Sequence, residues 1–519
     1  MNQNRTIPHS SRRSGGREAR RTLRAAPLAE DLRPVRAGLE GGNFKPLDAA
    51  AVKAVDATVY QILEEIGLSQ APDTGIKYMT EAGAVLGDDG RLRFPRALVE
   101  HTLAICGRHI TLHGQNPKHD LLLSGSRVHY GTAGAAVHVV DVAKNEYRES
   151  YLADIYDAAR IVEQMDNIHF FQRPMVARDI ADPAEMDLNT VYAAVKGTTK
   201  HVGASFTEAE FMPKIFSMLH DIAGGEEAWR ARPFVSNSNC FVVPPLRFAT
   251  ESCLVMEEAV RAGMPVLLLS AGQAGATAPA SIAGAVAQAV AEVLAGLVYV
   301  NAMSAGHPCI AGAWPFVSDL RTGAMSGGSG EQALLTAACA QMLNHFNLPS
   351  GSAAGMADAK MPDAQSGYEK GISNVMAGLA GLNMVYESAG MHAPLMGFCL
   401  ESLIIDNDML GQAMRCVRGI EVTPETLDIS VLQDVCLQGP GHYLGHNQTI
   451  SLMQTEYVYP SLSDRSSPKE WEENGKPNLL EQAIARKEQI LSGAPPTHIS
   501  DQLDSMLRAK YPVRLGEGR

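Results

Sequence analysis

The sequence predicts an α/β protein: a (β/α)8 TIM barrel with an N-terminal extension of helices and short strands and a C-terminal helical tail. Three observations carry that expectation. Apolar extended runs recur at 168–176, 201–206, 234–239, 265–270, 308–313, 351–356 and 384–387. Amphipathic or small-residue helical patterns fill the gaps at 152–164, 185–196, 208–222, 247–261, 280–303, 329–345 and 366–380, with 400–414 as an eighth helical region. Repeated βα units require parallel strands with helical crossovers, and seven or eight units over about 260 residues favour a barrel over an open sheet. The third observation is negative: no G-x-G-x-x-G follows the first of these strands, as a dinucleotide-binding sheet would want.

The segments in chain order are an arm at 1–44, helices and short strands at 45–150, the barrel at 151–460 and the helical tail at 461–519. Residues 1–36 hold Arg5, Arg12, Arg13, Arg17, Arg20, Arg21, Arg24, Arg33 and Arg36 against only Glu18, Glu30 and Asp31. With poor apolar periodicity, this stretch reads as a solvated or partner-clasping arm, a transit peptide being the alternative. Gly38–Phe44 reads as an irregular link. Helical patterns follow at 48–66 and 93–106, the second started by Phe94-Pro95. Short strands are expected at His109–His113, Leu121–Leu123 and Ser126–Asp141, the last broken by Gly131 and Gly134.

Composition narrows the function classes. With 44 basic and 57 acidic residues the formal charge is −13, which argues against nucleic acid as a partner and suits a cation. Hydrophobic residues at 45% and charged residues at 19% are those of an ordinary soluble enzyme, expected in the cytoplasm. The most apolar stretch, Ile282–Val300, is interrupted by Gln288 and Glu292 and rich in Ala and Gly, so it reads as a packed core helix rather than a membrane span. Eight cysteines contain no C-x-x-C or C-x-C pair, so no cysteine zinc site or disulfide scaffold is expected.

In a barrel the chemistry collects where strands run into the βα loops. Those ends read Gln172-Arg173-Pro174, Ser205-Phe206, Asn237-Ser238-Asn239, Ala271-Gly272-Gln273, Gly312-Ala313-Trp314-Pro315, Gly355–Lys360 and Glu387-Ser388-Ala389-Gly390. They are polar, small and aromatic, with few paired charges. No G-x-S-x-G, H-E-x-x-H or G-x-x-x-x-G-K-[ST] occurs, so serine hydrolysis, zincin proteolysis and P-loop phosphoryl transfer lack their usual support. The loop Gly355–Lys370 sets Asp358, Lys360 and Asp363 after a strand, with Gln365, Tyr368 and Glu369 opening the next helix. It reads either as a polar rim to a pocket or as a plain loop with Asp363 as helix cap. Trp314, Tyr130, Phe170, Phe171, Phe206 and Tyr368 are candidates for an aromatic cage around a quaternary ammonium, Trp314 foremost. His442 and His446 are spaced like helical metal ligands, yet Gly439, Pro440, Gly441 and Gly445 disfavour a helix there. A loop offering its imidazoles as hydrogen-bond donors is the better reading.

At these residues the chain resembles the trimethylamine methyltransferase family. The likeness runs from about Lys45 to Leu491 and is carried by Arg321-Thr322-Gly323-Ala324, Gly355–Lys370, Gly439–His446 and Thr455–Pro460 with Trp471-Glu472. Arg13–Arg17 and Gly41-Gly42 are reminiscent of bacterial members. Archaeal members that use trimethylamine carry pyrrolysine; this chain has ordinary residues throughout, which implies the other branch. The resemblance implies a (β/α)8 fold and transfer of a methyl group from a betaine, glycine betaine first, to the Co(I) corrinoid of a small partner protein. Proline betaine, carnitine or trimethylamine are alternative donors, and a non-catalytic betaine-binding protein is the alternative outside enzymes. The expected catalytic residues are Asp358, Lys360 and Gln365, and the substrate contacts Trp314, Tyr130, Phe206, Tyr368, His442 and His446. No directly bound metal is expected, and self-association is.

Overall fold

The computed structural model describes residues 28–439 and 441–516. The arginines from Arg5 to Arg24 and Pro440 lie outside the described residues. Two compact units are formed, one by 37–419 with 460–516, the other by 28–36 with 420–459.

The larger unit is built on a curled nine-stranded sheet. Eight of its strands are parallel: β1 (Arg127–Tyr130), β2 (Phe170–Gln172), β3 (His201–Ala204), β4 (Val235–Asn237), β5 (Val266–Ser270), β6 (Cys309–Ala313), β7 (Ser350–Ala353) and β8 (Met384–Tyr386). The ninth, Leu39–Glu40, pairs antiparallel with β1 within the segment that the sequence suggests is an irregular link. A long helix follows each parallel strand: α1 (Leu152–Glu163), α2 (Pro183–Gly197), α3 (Met212–Ala223), α4 (Thr250–Arg261), α5 (Ile282–Met303), α6 (Gly330–His345), α7 (Ala364–Leu379) and α8 (Leu400–Arg418).

The seven anticipated strands are all present, trimmed by a few residues. The eighth parallel strand is Arg127–Tyr130, from the stretch read as broken short strands. β1 pairs with β8 through Met384↔His129 and Val385↔Tyr130. On its other edge Gly131 bridges Phe170 in parallel, and His169 N donates to Tyr130 O at 2.6 Å. The run that begins at β2 therefore returns to β2. Gly131 permits this, because a Cβ there would lie 2.4 Å from the Phe170 ring.

Helix α5 is the central core element. It contacts the helices at Ala49–Gln61, Asp73–Ala82 and Arg96–Ile105 on one side and β5 and β6 on the other. It is the one described helix long and apolar enough to cross a membrane, and 83% of its apolar window is buried inside the fold. Its two polar interruptions have a task. Glu292 accepts from Leu246 N at 2.8 Å and Gln288 Nε2 at 3.2 Å, and it also takes the Ser270 hydroxyl at the end of β5. The carboxylate thereby pins the 240s loop to the strand ends. After residue 460 the chain returns with helices Leu479–Ser492 and Asp501–Lys510, the latter fixed by Lys196–Asp504 at 2.7 Å.

The smaller unit carries the helices Ile429–Cys436 and Asn447–Leu452. His446 caps the second helix, its Nδ1 accepting from Gln448 N at 3.1 Å, and its Nε2 lies 3.9 Å from Asp434. His442 is exposed.

Candidate functional site

Register decides which side chains share the inner face of the curled sheet, since aligned residues of parallel neighbours point the same way. Phe170 aligns with His201, Gly203 with Ser236, Ile310 with Leu267, and Met384 with both Gly351 and His129. Across the small residues of this face the aromatics meet. Phe170 and Tyr386 approach over Gly131, ring centroids 5.1 Å apart, and Tyr386 meets Trp314 at 4.8 Å beyond β7. Trp314 is 5% exposed and its Nε1 has no hydrogen-bond partner among the described residues. Glycine makes room for the cluster: a Cβ on Gly351 would lie 2.8 Å from the Tyr386 ring.

Immediately after Tyr386 the backbone turns. Glu387 adopts φ 60°, a left-handed conformation that L side chains rarely take. The turn is fixed by its neighbours, with Ser388 N donating to Gly131 O at 2.9 Å and Ala354 N to Tyr386 O at 2.9 Å. The Glu387 side chain is buried and its Oε2 has no partner among the described residues. Burial pushes its carboxyl up to about 8. Its charge acts on the thiol of Cys240, which burial first and Glu387 second raise to about 11. Cys240 extends β4, bridging Leu269 on β5, and β4 lies on the far side of the run from β8. Glu387 and Cys240 thus lie within electrostatic reach of each other at the strand ends. Cys240 is solvent-accessible although protein packs closely around it.

At the end of β2, Arg173 is a second unspent charge. Its Nε is buried with no acceptor among the described residues, and burial lowers its pKa against the opposing charge of Asp187. Asp187 is itself occupied by Thr207, accepting from its N at 2.7 Å and its Oγ1 at 2.8 Å. The strand ends thus offer aromatic faces, one unpaired carboxyl and one guanidinium. Aromatic faces with an unpaired carboxyl can hold a small cation, whereas the guanidinium suits an anionic group. Glu387 is paired with no histidine, lysine or arginine among the described residues.

The loop after β7 brings Asp358, Lys360 and Gln365 into one network. Asp358 accepts from Gly327 N at 2.7 Å and Ser326 Oγ at 2.6 Å. Lys360 is exposed, its Nζ donating to Asp358 O at 2.6 Å, while its own carbonyl accepts from Tyr147 OH at 2.6 Å. Glu369 organises the rest: Oε2 accepts from Asp358 N at 2.7 Å and Ala359 N at 3.1 Å, and Oε1 from Gln365 Nε2 at 2.8 Å. Asp363 caps α7, accepting from Ser366 N at 3.0 Å.

The aromatic candidates separate. Trp314 joins Phe170 and Tyr386. Phe206 is buried, its N donating to Asn239 Oδ1 at 3.0 Å. Tyr130 turns to the helix layer, its hydroxyl donating to Asn374 O at 2.9 Å in the room left by Gly378. Tyr368 is 58% exposed on α7. His442 and His446 belong to the other unit. Glu387 and Arg173 stand in the strand-end segments read from the sequence but, like Tyr386 and Cys240, were given no role there. The available signal was an acidic or basic residue directly after an apolar strand run, as in Glu387-Ser388 and Gln172-Arg173.

Comparison with known proteins adds the decisive observation. Residues 13–515 match the model of the family described as trimethylamine methyltransferase (MTTB). The chain belongs to that family. It is a methyltransferase of the trimethylamine methyltransferase family, with residues 1–12 outside the match. Among family members it is 29% identical over 474 residues to trimethylamine methyltransferase MttB of Desulfitobacterium hafniense strain DCB-2, covering 91% of this chain and 94% of that one. To glycine betaine methyltransferase of D. hafniense strain Y51 it is 28% identical, covering 90% and 96%. The crystal structure of Methanosarcina barkeri monomethylamine methyltransferase (MtmB) shares its fold with TM-score 0.52 at 12% identity, over 86% of this chain and 89% of that one.

Proposed function

We propose that this methyltransferase takes one methyl group from a quaternary amine, glycine betaine foremost, and delivers it to the Co(I) corrinoid of a small partner protein. The observation that carries the reading is Glu387, a buried carboxyl with an oxygen unpartnered among the described residues, one position after Tyr386, whose ring meets Trp314. We read the curled sheet as a (β/α)8 barrel running from β1 to β8, with the site at its C-terminal mouth, where such barrels keep their chemistry. The protein is expected in the cytoplasm, and a homo-oligomer is expected.

A corrinoid carried by the partner supplies the nucleophile, and that group needs no ligand from this chain. The residues of the chain bind, orient and desolvate the donor. A quaternary ammonium leaves as a neutral tertiary amine, so no proton moves and no general base is required. Glu387 and the faces of Trp314 and Tyr386 hold the cation by charge and cation–π attraction. Burial of the site keeps out water, which would weaken those attractions and compete for the methyl acceptor. The loop network of Asp358, Gln365 and Glu369 holds the rim, and Lys360 stands at its exposed edge.

The names of the relatives keep trimethylamine as the competing donor, since the identities to trimethylamine and glycine betaine methyltransferases are 29% and 28%. Mass spectrometry of the demethylated product separates the two. With corrinoid acceptor supplied, dimethylglycine from glycine betaine supports the proposal, and dimethylamine from trimethylamine alone replaces it with the second reading.

A further inference from the structure

The proposed function leaves open how a buried carboxyl with no partner is stabilised when the site is empty. Among the described residues Glu387 has neither a cation nor a hydrogen-bond donor on Oε2, and its left-handed backbone is held by the pairing of Ser388 and Ala354 with neighbouring strands. An ionised carboxylate so placed bears the full desolvation cost, whereas a neutral acid bears little of it. The titratable group facing it from the opposite strand is Cys240, whose thiol is neutral and brings no compensating positive charge. The other charge at the strand ends, Arg173, has Asp187 as its charged neighbour.

We infer that Glu387 exchanges its proton for the substrate: the empty pocket holds a carboxylic acid, and the quaternary ammonium enters as that proton leaves to water, forming a carboxylate–ammonium pair. This rests on the proposed function and adds its pH law. In the exchange the O–H bond of Glu387 breaks, the electron pair stays on the carboxylate, and the proton joins buffer. No redox partner is involved. A quaternary ammonium has no N–H to donate, so charge alone must retain it.

With the free carboxyl at about 8, binding pulls the group to its ionised form and becomes easier as pH rises. Affinity therefore increases roughly tenfold per pH unit below that value and levels off above it. The hydrophobic and cation–π part of binding is unaffected.

The test is isothermal titration of the full chain with glycine betaine and with tetramethylammonium, in buffers of different ionisation enthalpy. Near pH 6.5 about one proton released per ligand bound is expected, and near pH 9.5 almost none. Glu387→Gln should bind with no proton release and with pH-independent affinity. An infrared difference spectrum of the unmodified protein gives a second readout that needs no variant: the carboxylic-acid carbonyl band should vanish on ligand binding. Binding at pH 6.5 without proton release, or release that persists in Glu387→Gln, overturns the inference. If methyl transfer from glycine betaine proceeds without proton release, the inference fails while the proposed function stands. If no methylated amine binds or gives up a methyl group, both fail.

Discussion

Lys370 Nζ lies 2.6 Å from Asp406 Oδ2, and the two side chains are only 1% and 5% exposed. The same oxygen accepts from Gly390 N at 2.8 Å, three residues beyond Glu387. This buried ion pair joins α7 to α8 and also holds the turn that positions the site carboxyl. His392 lies against it, with Nε2 3.4 Å from Lys370 and 2.8 Å from Ser402 Oγ, and burial together with the lysine charge keeps that imidazole neutral.

Asp406→Asn strands the Lys370 ammonium. Removing one partner of a buried pair costs about 3–5 kcal/mol. Urea unfolding should show a loss of that size, with weakened amine binding because Gly390 loses its charged acceptor. A loss below about 1 kcal/mol would show that the pair holds little.

Glu369→Ala removes the acceptor of two backbone N–H groups and of Gln365. A stability loss of about 2–3 kcal/mol and a fall in kcat/KM are expected, since the Asp358–Lys360 rim is then untied. Lys360→Ala, at an exposed position, should stay within about 0.5 kcal/mol of the parent. Paired chemical denaturation and turnover assays check both, and equal losses in the two variants would contradict the assigned roles.

Acid should destabilise the fold through buried neutral histidines. Burial lowers His129 and His201 from 6.5 to about 4. Below pH 6.5 the unfolded chain takes up protons that the folded chain refuses until about 4. Stability is thus intact above the higher value and lost as pH falls towards the lower one. Each histidine contributes up to about 3 kcal/mol of that loss. Unfolding curves across this window should fall steadily in the parent and less steeply in His129→Gln. A flat profile would remove the burial argument.

Cys240 should report on the occupied site. Burial and the Glu387 charge raise its thiol to about 11, so alkylation at neutral pH should be slow and should quicken as pH rises. Saturating glycine betaine should protect it. Peptide mapping after iodoacetamide checks this, and labelling indifferent to the ligand would place Cys240 away from the bound amine.

The alternating rhythm of the chain was legible because β2 to β8 are short apolar runs between long helices, each bounded by Gly, Pro or polar residues. β1 was not. Arg127 and His129 break its apolar character, and Gly131, the residue that lets the sheet return to β2, looked like a strand breaker. Gln288 and Glu292 were correctly set in a core helix, but the partner of Glu292 at Ser270 lies 22 residues earlier, beyond the reach of periodicity. The site was half legible. Trp314 and the Asp358 loop announce themselves by residue type and position. Glu387 does not, because its meaning comes from a left-handed turn and from Cys240 across the sheet. The hydroxyl of Tyr130 is directed by strand alternation, which one displaced strand boundary is enough to invert.

The most direct test of the account mixes purified protein, glycine betaine and chemically reduced cob(I)alamin without oxygen and follows the visible spectrum. The account predicts conversion to methylcob(III)alamin with dimethylglycine formed in equal amount, and loss of that conversion in Glu387→Ala. No conversion with any quaternary amine, even with the partner corrinoid protein supplied, would contradict it and leave the site as one that binds amines without transferring a methyl group.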